Sequence, residues 1–249
     1  MGLLSLFKKK KDEEPRCSAV IVSAGLARRM GGIDKVLAPL GELPVLVHTL
    51  YAFQDCSAIR EIIVVAREDL VVEVGRLCKE FDLDKVRKVI VGGGERIQSV
   101  QAGLREVDPE SSLVAIHDGA RPLVTPEIIR DTVARAALTG AAAPGIPLTD
   151  TIKRTQDGLA VETVDRSQLW AVQTPQVFET GLIKGAVQKA VDDGELLTDD
   201  CGAVERLGMK VTLTSGSEEN IKITTPLDLI LGEAILQARA DETLWRNQK

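Results

Sequence analysis

The sequence predicts an α/β protein in which a mainly parallel sheet is flanked by helices and a two-stranded arm projects from the body. Three observations carry that prediction. From Cys17 onward, short continuous apolar runs alternate with amphipathic segments, the order that yields parallel strands joined by helices. Glycine-bearing stretches directly follow two of the runs, as connections at the carboxyl ends of parallel strands do. One later region abandons this rhythm for polar alternation.

The candidate strands are Ala19–Val22, Ile62–Val65, Val86–Val91 and Leu113–Ile116. Their apolar residues run on without alternation, as in strands buried on both faces. Leu182, Ile183, Ala186, Val187, Ala190 and Val191 form a helical stripe, and Leu227, Ile230, Leu231, Ala234 and Ile235 form another. Both read as core contacts. Asp150–Thr155 and Leu159–Val164 alternate on either side of Gln156-Asp157-Gly158, a hairpin signal. Too polar for a central sheet, residues 147–172 read as an arm. An isolated hairpin is marginal in water, so the arm calls for a partner and predicts a homodimer.

At 249 residues, with 44% hydrophobic and 27% charged side chains, the chain has the apolar content of a full core, which excludes a disordered or fibrous protein. Only seven residues are aromatic, too few for stacked platforms that read single strands. The net charge is −6, and the first sixteen residues hold five bases against three acids, leaving −8 beyond them. Such a body has no extended basic face for nucleic acid, so any phosphate site is local. Cys17, Cys56, Cys78 and Cys201 lie far apart with no C-x-x-C, and only His48 and His117 accompany them; this reads as a reduced cytoplasmic protein without a zinc set.

At the amino end, Leu3-Leu4-Ser5-Leu6-Phe7 precedes Lys8 to Lys11, the reverse of a secretory signal. No run reaches the ~20 apolar residues of a membrane span. Residues 1–16 are expected to be a flexible Lys-rich tail, with a membrane-surface or partner tag as the alternative. Residues 17–240 form the expected domain, and 241–249 a C-terminal tail.

Three segments carry candidate chemistry. The first strand runs into Ser23-Ala24-Gly25-Leu26-Ala27-Arg28-Arg29-Met30-Gly31-Gly32, with Lys35 beyond. Backbone N–H groups of such a loop can cradle an anion while the bases neutralise a polyphosphate. It matches neither the Walker nor the dinucleotide pattern, and by itself reads equally as a plain strand-to-helix connection. Gly92-Gly93-Gly94-Glu95-Arg96-Ile97-Gln98-Ser99-Val100 follows another strand and opens a helix. Its glycines let a flat ligand approach the main chain, and Arg96 and Ser99 share a helix face; the alternative is a surface Arg and a capping Ser. Ile116-His117-Asp118-Gly119-Ala120-Arg121-Pro122 ends the fourth strand. Asp118 there has the hard oxygen that suits Mg²⁺ beside phosphates, or forms an ion pair with Arg121, and His117 reads as structural. Thr149–Arg154, Asp165–Trp170, Gln173–Gln176, Leu197–Asp200 and Asn220–Thr224 offer hydroxyls and bases, but spacing alone does not join them. Asp82-Leu83-Asp84 has a metal-binding spacing but follows a helical stretch and is given little weight.

Together, the Ala-Gly…Arg-Met-Gly…Lys segment, Gly-Gly-Gly-Glu-Arg-Ile-Gln-Ser-Val, His-Asp-Gly-Ala-Arg-Pro, Asp-Thr-Ile-Lys, Leu-Trp-Ala-Val-Gln-Thr-Pro-Gln and Asn-Ile-Lys-Ile-Thr resemble, in order, the 2-C-methyl-D-erythritol 4-phosphate cytidylyltransferases of the non-mevalonate isoprenoid pathway. The resemblance spans roughly residues 17 to 240. It implies a Rossmann-like nucleotidyltransferase fold, a homodimer joined by exchanged β-arms, and Mg²⁺-dependent use of CTP with a sugar-alcohol phosphate. It places Arg29, Lys35 and Lys222 around the reacting phosphates and Asp118 on the metal and nucleotide. Ser23, Ala24, Gly25, Gly93, Gly94, Arg96 and Ser99 become nucleotide-binding, and Arg121, Thr151, Arg166, Thr174 and Thr198 substrate-binding. The sequence departs from the family at Ala27, where many members carry a second loop glycine, at Asp34, where proline commonly precedes the lysine, and at Gly119, where alanine is usual. Asp34 is expected to draw the Lys35 ammonium away from phosphate until nucleotide binds. Ribitol 5-phosphate cytidylyltransferase is the nearest rival, and a CTP-binding module without turnover is a reading of another class. The joint presence of Lys35, Asp118 and Lys222 argues against the latter.

Overall fold

The computed structural model describes residues 16–25 and 34–247. In chain order the elements are β1 (Cys17–Val22), β2 (Pro39–Leu40), β3 (Leu43–Pro44), α1 (Val45–Gln54), β4 (Ile59–Ala66), α2 (Val71–Glu80), β5 (Val86–Val91), α3 (Arg96–Glu106), β6 (Leu113–Asp118) and α4 (Pro126–Thr139). They continue with β7 (Ala141–Pro147), β8 (Ile152–Gln156), β9 (Leu159–Val164), β10 (Trp170–Val172), β11 (Gln176–Glu179), α5 (Thr180–Asp192), α6 (Cys201–Glu205), β12 (Thr212–Ser215) and α7 (Pro226–Asn247).

The main sheet runs β10-β7-β11-β6-β1-β4-β5, with β12 also on β7. β1 lies parallel between β4 and β6, and β4 is parallel to β5. β11 runs antiparallel to both β6 and β7. This is the expected Rossmann-like architecture. Alternate residues of the central strands feed two cores: Ala19, Ile21, Ile62 and Val64 pack with Leu46, Phe53 and Ile129 on one face, while Val20, Ile63, Val65 and Ile116 pack with Val100, Leu104 and Ile183 on the other. Burial on both faces explains why these runs read as continuous apolar sequence.

Two expectations change. Val86–Val91 is a strand, but an edge one, pairing among the described residues only with β4 and exposing Arg87 and Lys88; Lys88 pairs with Glu106 at 2.8 Å. Charged residues on an unpaired edge discourage further strand addition. The second change concerns α7. Its expected core stripe is turned outward, with Leu227 at 70% exposure, Ile230 at 64% and Leu231 at 47%. Leu229 and Leu236 pack on the core instead, with Gly232 against Leu40. The helix carries two apolar stripes, and the body covers the other one. It also runs to Asn247, past the boundary expected at residue 240.

β8 and β9 form the arm, pairing Ile152 with Val164 through Gln156 with Leu159. Asp157 and Gly158 have φ of 51° and 80°, the two positive values that a two-residue turn matching strand twist requires. The arm is shorter than expected: β10 leaves it and joins β7 in the main sheet. No described helix is long and apolar enough to cross a membrane.

Candidate active site

β1, β4, β5 and β6 all end at the same sheet edge, and the loops after β1, β5 and β6 border a cleft of about 310 Å³. Ser23, Ala24 and Gly25 line it after β1; Gly93, Gly94, Arg96 and Ser99 after β5; Asp118 after β6. Lys35 and Lys222 enter from two further segments. Ten expected site residues, read from five separate stretches, thus share one cavity. Arg29 lies outside the described residues, as does Ala27.

The glycines are required by close approach. A Cβ on Gly92 would stand 2.6 Å from the Ala24 Cβ and 2.7 Å from Ser99 Oγ. Ser99 Oγ accepts from the Gly93 N–H at 3.1 Å, so the serine pins the glycine loop. Glu95 and Gln98 close a reciprocal capping box on the same helix start, satisfying N–H groups that the first turn would otherwise leave unpaired.

Asp118 is the electrostatic centre. Lys222 Nζ lies 2.8 Å from Oδ2, Arg121 Nε 3.6 Å from the same oxygen, and Arg96 Nε 3.5 Å from Oδ1. Burial opposes its ionisation, but Lys222, Arg96 and Arg121 hold the carboxyl well below the usual carboxylate range. Arg96 is a strut: its Nη1 and Nη2 donate to Asp200 Oδ1 and Oδ2 at 2.8 and 2.7 Å. Asp200 is in turn fixed by its own N–H and that of Cys201 donating to Gln176 Oε1 at 2.8 and 2.9 Å.

Behind Asp118, the buried His117 and Thr174 form a directed chain. The Asp118 N–H donates to Thr174 Oγ1 at 3.2 Å, which meets His117 Nδ1 at 2.9 Å, while His117 Nε2 faces the Arg121 carbonyl at 3.3 Å. Burial pushes the His117 pKa down to about 3, so the ring is neutral and structural, as expected. Thr174, expected at the sugar phosphate, is 4% exposed and spends its hydroxyl here. Asn220, fully buried, donates from Nδ2 to Gln173 Oε1 at 3.1 Å and the Thr174 carbonyl at 3.0 Å. The Asn220 backbone carbonyl accepts from Arg121 Nη1 at 2.7 Å. These bonds carry the Lys222 segment to Asp118. Asn220, Gln176 and Asp200 stood in stretches marked by composition, but these partners lie 24 to 104 residues away along the chain.

The remaining expected residues do not line the cleft of their own chain. Thr198 is exposed. Thr151 and Arg166 are exposed on or beside the arm, where Arg166 Nη1 donates to the Thr149 carbonyl. Arg121 acts at Asp118 and Asn220 instead. Asp34 also differs from expectation: Oδ1 accepts from the Val36 N–H at 3.0 Å and Oδ2 from Arg67 Nη1.

A family model for 2-C-methyl-D-erythritol 4-phosphate cytidylyltransferase matches residues 17–238. The chain belongs to that family. It is 44% identical over 229 residues to the Alkaliphilus metalliredigens member, covering 91% of this chain and 95% of that one. It is 47% identical over 227 residues to the Caldanaerobacter subterraneus member, covering 88% and 98%. Among solved structures, the Anaerococcus prevotii 4-diphosphocytidyl-2C-methyl-D-erythritol synthase superposes with a TM-score of 0.80 at 32% identity, covering 90% of this chain and 97% of that one. The Thermus thermophilus enzyme gives 0.73 at 31%, covering 88% and 98%.

The glycine at position 119 has a local cause. A Cβ there would stand 2.1 Å from Ser23 Oγ and 3.2 Å from Leu46 Cδ1, and the Ser23 hydroxyl is buried without a hydrogen-bond partner among the described residues. Gly119→Ala is therefore expected to destabilise the fold by ~1–3 kcal/mol through overpacking and to lower kcat/KM. Adding Ser23→Ala, which removes the obstructing oxygen, is expected to restore both, checked by urea unfolding and steady-state kinetics. The His117 ring sets a pH dependence. Its folded pKa lies below the unfolded value, so the unfolded chain takes up the proton first as pH falls. Stability should decline from pH ~6.5 towards 3 at up to ~1.4 kcal/mol per unit for this group. Urea titrations at several pH values should give a shallower slope for His117→Gln, whatever its absolute stability.

Proposed function

We infer that this cleft binds CTP and brings its α-phosphorus to the phosphate of 2-C-methyl-D-erythritol 4-phosphate. The chain is a cytidylyltransferase of isoprenoid biosynthesis, forming 4-diphosphocytidyl-2-C-methyl-D-erythritol and pyrophosphate. The sugar-phosphate oxygen forms the new bond to the α-phosphorus in line as the bond to the β-phosphate bridging oxygen breaks. That nucleophile is already an anion, so no general base is needed, and catalysis consists of positioning and charge neutralisation. Lys35 and Lys222 neutralise charge on the triphosphate, and Arg29 joins them by its sequence match. The glycine loop around Gly93 and Gly94 faces the base and ribose. The single observation carrying this reading is that Lys35, Lys222 and Asp118, from three distant segments, line one cavity.

Magnesium fits the donor set. Among the described residues no three acidic, His or Cys side chains converge on one point, and Mg²⁺ at nucleotide sites is held by one or two carboxylates together with substrate phosphates. Asp118, kept ionised by its neighbours, is the residue that would hold it. The ion would supply further charge neutralisation at the phosphates.

The acceptor site is completed by a second copy. Thr151 and Arg166 lie on or beside the exposed arm, which among the described residues pairs only with itself and presents Leu159 at 72% and Val161 at 56% exposure. Exchange of arms in a homodimer covers these residues and delivers Thr151 and Arg166 to the neighbouring cleft. The four cysteines, all buried and unpaired, suit a reducing cytoplasm.

A pyrophosphate-release assay with CTP, UTP, ATP and GTP against methylerythritol 4-phosphate and ribitol 5-phosphate tests the reaction. Turnover with CTP and methylerythritol 4-phosphate is expected. Lys35→Ala should lower kcat by two to three orders of magnitude, roughly the cost of removing one transition-state donor; near-normal turnover would take the lysine out of the mechanism. Arm exchange is tested by complementation. Inactive Lys35→Ala and Arg166→Ala chains, mixed through refolding, should recover about a quarter of wild-type activity, since half the dimers are mixed and each has one intact site. No recovery would refute shared sites.

A further inference from the structure

Arg67 directly follows β4, whose last residues are tied to the loops that line the cleft: the Ser23 N–H donates to the Val65 carbonyl at 2.7 Å and the Gly92 N–H to the Ala66 carbonyl at 2.8 Å. It is thus mounted on the rigid junction of three strand ends. Its guanidinium grips two carboxylates: Nε and Nη2 donate to Asp69 at 2.9 and 2.8 Å, and Nη1 donates to Asp34 Oδ2. The Arg67 and Asp34 side chains are 22% and 15% exposed, so water screens this pair less than an ordinary surface bridge.

The other oxygen of Asp34 does local work. Oδ1 accepts from the Val36 N–H, and the Leu37 N–H donates to the Asp34 carbonyl at 3.2 Å. Asp34 is therefore the first residue of a turn closed by its own side chain, a role that suits aspartate. Lys35 occupies the second position of that turn and lines the cleft, its Nζ 3.9 Å from where a Gly25 Cβ would stand.

We propose that Arg67 is a positioning residue for cytidylyl transfer: it occupies the Asp34 carboxylate, keeping it from competing for the adjacent Lys35 ammonium, and locks the turn that presents that ammonium to the triphosphate. Two constraints meet at one guanidinium. A carboxylate one residue from a phosphate-binding lysine lowers the positive potential where the nucleotide needs it, unless another cation engages it. A free hinge at residue 34 lets the lysine leave its approach, and small misplacements near reacting groups cost rate steeply. The fork of arginine, unlike lysine, can hold Asp34 and Asp69 together.

The proposal rests on Lys35 facing the triphosphate, so the test includes that residue. Pyrophosphate release by the full chain gives kcat and KM for CTP in Arg67→Met, Arg67→Met with Asp34→Asn, and Lys35→Ala. Arg67→Met is expected to lower kcat/KM for CTP roughly ten- to a hundredfold, because it frees the carboxylate and loosens the turn. Adding Asp34→Asn removes the competing charge but keeps an oxygen for the Val36 N–H, and is expected to recover to within about threefold of wild type, the non-additivity of residues that act as a pair. Wild-type kinetics in Arg67→Met would overturn the proposal. So would a double variant as impaired as the single one, which makes Arg67 a mere structural support. Should Arg67→Met fail to fold by circular dichroism, Arg67→Lys, alone and with Asp34→Asn, takes its place under the same two outcomes. Normal turnover in Lys35→Ala refutes the lysine's role itself and is distinguishable from both.

Discussion

One ionised carboxylate, almost out of reach of water, governs the architecture of this cleft. Asp118 is 8% exposed at the carboxyl end of a central strand, and a buried charge costs several kcal/mol unless it is paired. Three cations meet that demand, and they come from α3, from the turn after β6 and from the segment before α7. Removing any one leaves the others to compensate a charge in a low-dielectric setting. The carboxylate thus acts as the knot that draws distant segments of chain together at the sheet edge.

The charge balance of that knot is as informative as its geometry. Arg96, Arg121, Lys222 and Lys35 gather around Asp118 and Asp200, leaving these groups with a surplus of positive charge in a chain whose net charge is −6. A triphosphate entering the cleft meets a local positive field. The support behind the field is uncharged: the His117 ring stays neutral, linking Asp118 through Thr174 without adding a cation where the carboxylate already has three. Preorganised donors of this kind need no rearrangement as charge moves during reaction.

Most of the fold was readable in the sequence because burial on both faces leaves an unbroken apolar run, and because Asp157-Gly158 has few alternatives to a tight turn. The failures are equally physical. Hydropathy along α7 shows two stripes, Leu227-Ile230-Leu231 and Leu229-Gly232-Leu236, and nothing local tells which one the body covers. β10 is three residues long and polar on its flanks, so its place in the main sheet depends on β7. Within the site, glycine loops and strand-end charges announced themselves by type and position. Asp200, Gln176 and Asn220 did not, since their roles come from hydrogen bonds to residues far along the chain, and no periodicity or short motif encodes such a bond. Thr174 was found by likeness to a family, but that likeness does not reveal a hydroxyl already engaged by its neighbours.

Two contacts show how the cleft couples neighbouring segments. The space that a Cβ would take at Gly119 is filled by the Ser23 hydroxyl, at the end of the adjacent parallel strand. The Asp34 carboxylate beside Lys35 is engaged by Arg67 through one oxygen while the other closes the turn. One contact is steric and the other electrostatic, and in each a residue that follows one strand meets a residue of another segment, because the parallel sheet holds the strand ends close together whatever their separation in sequence.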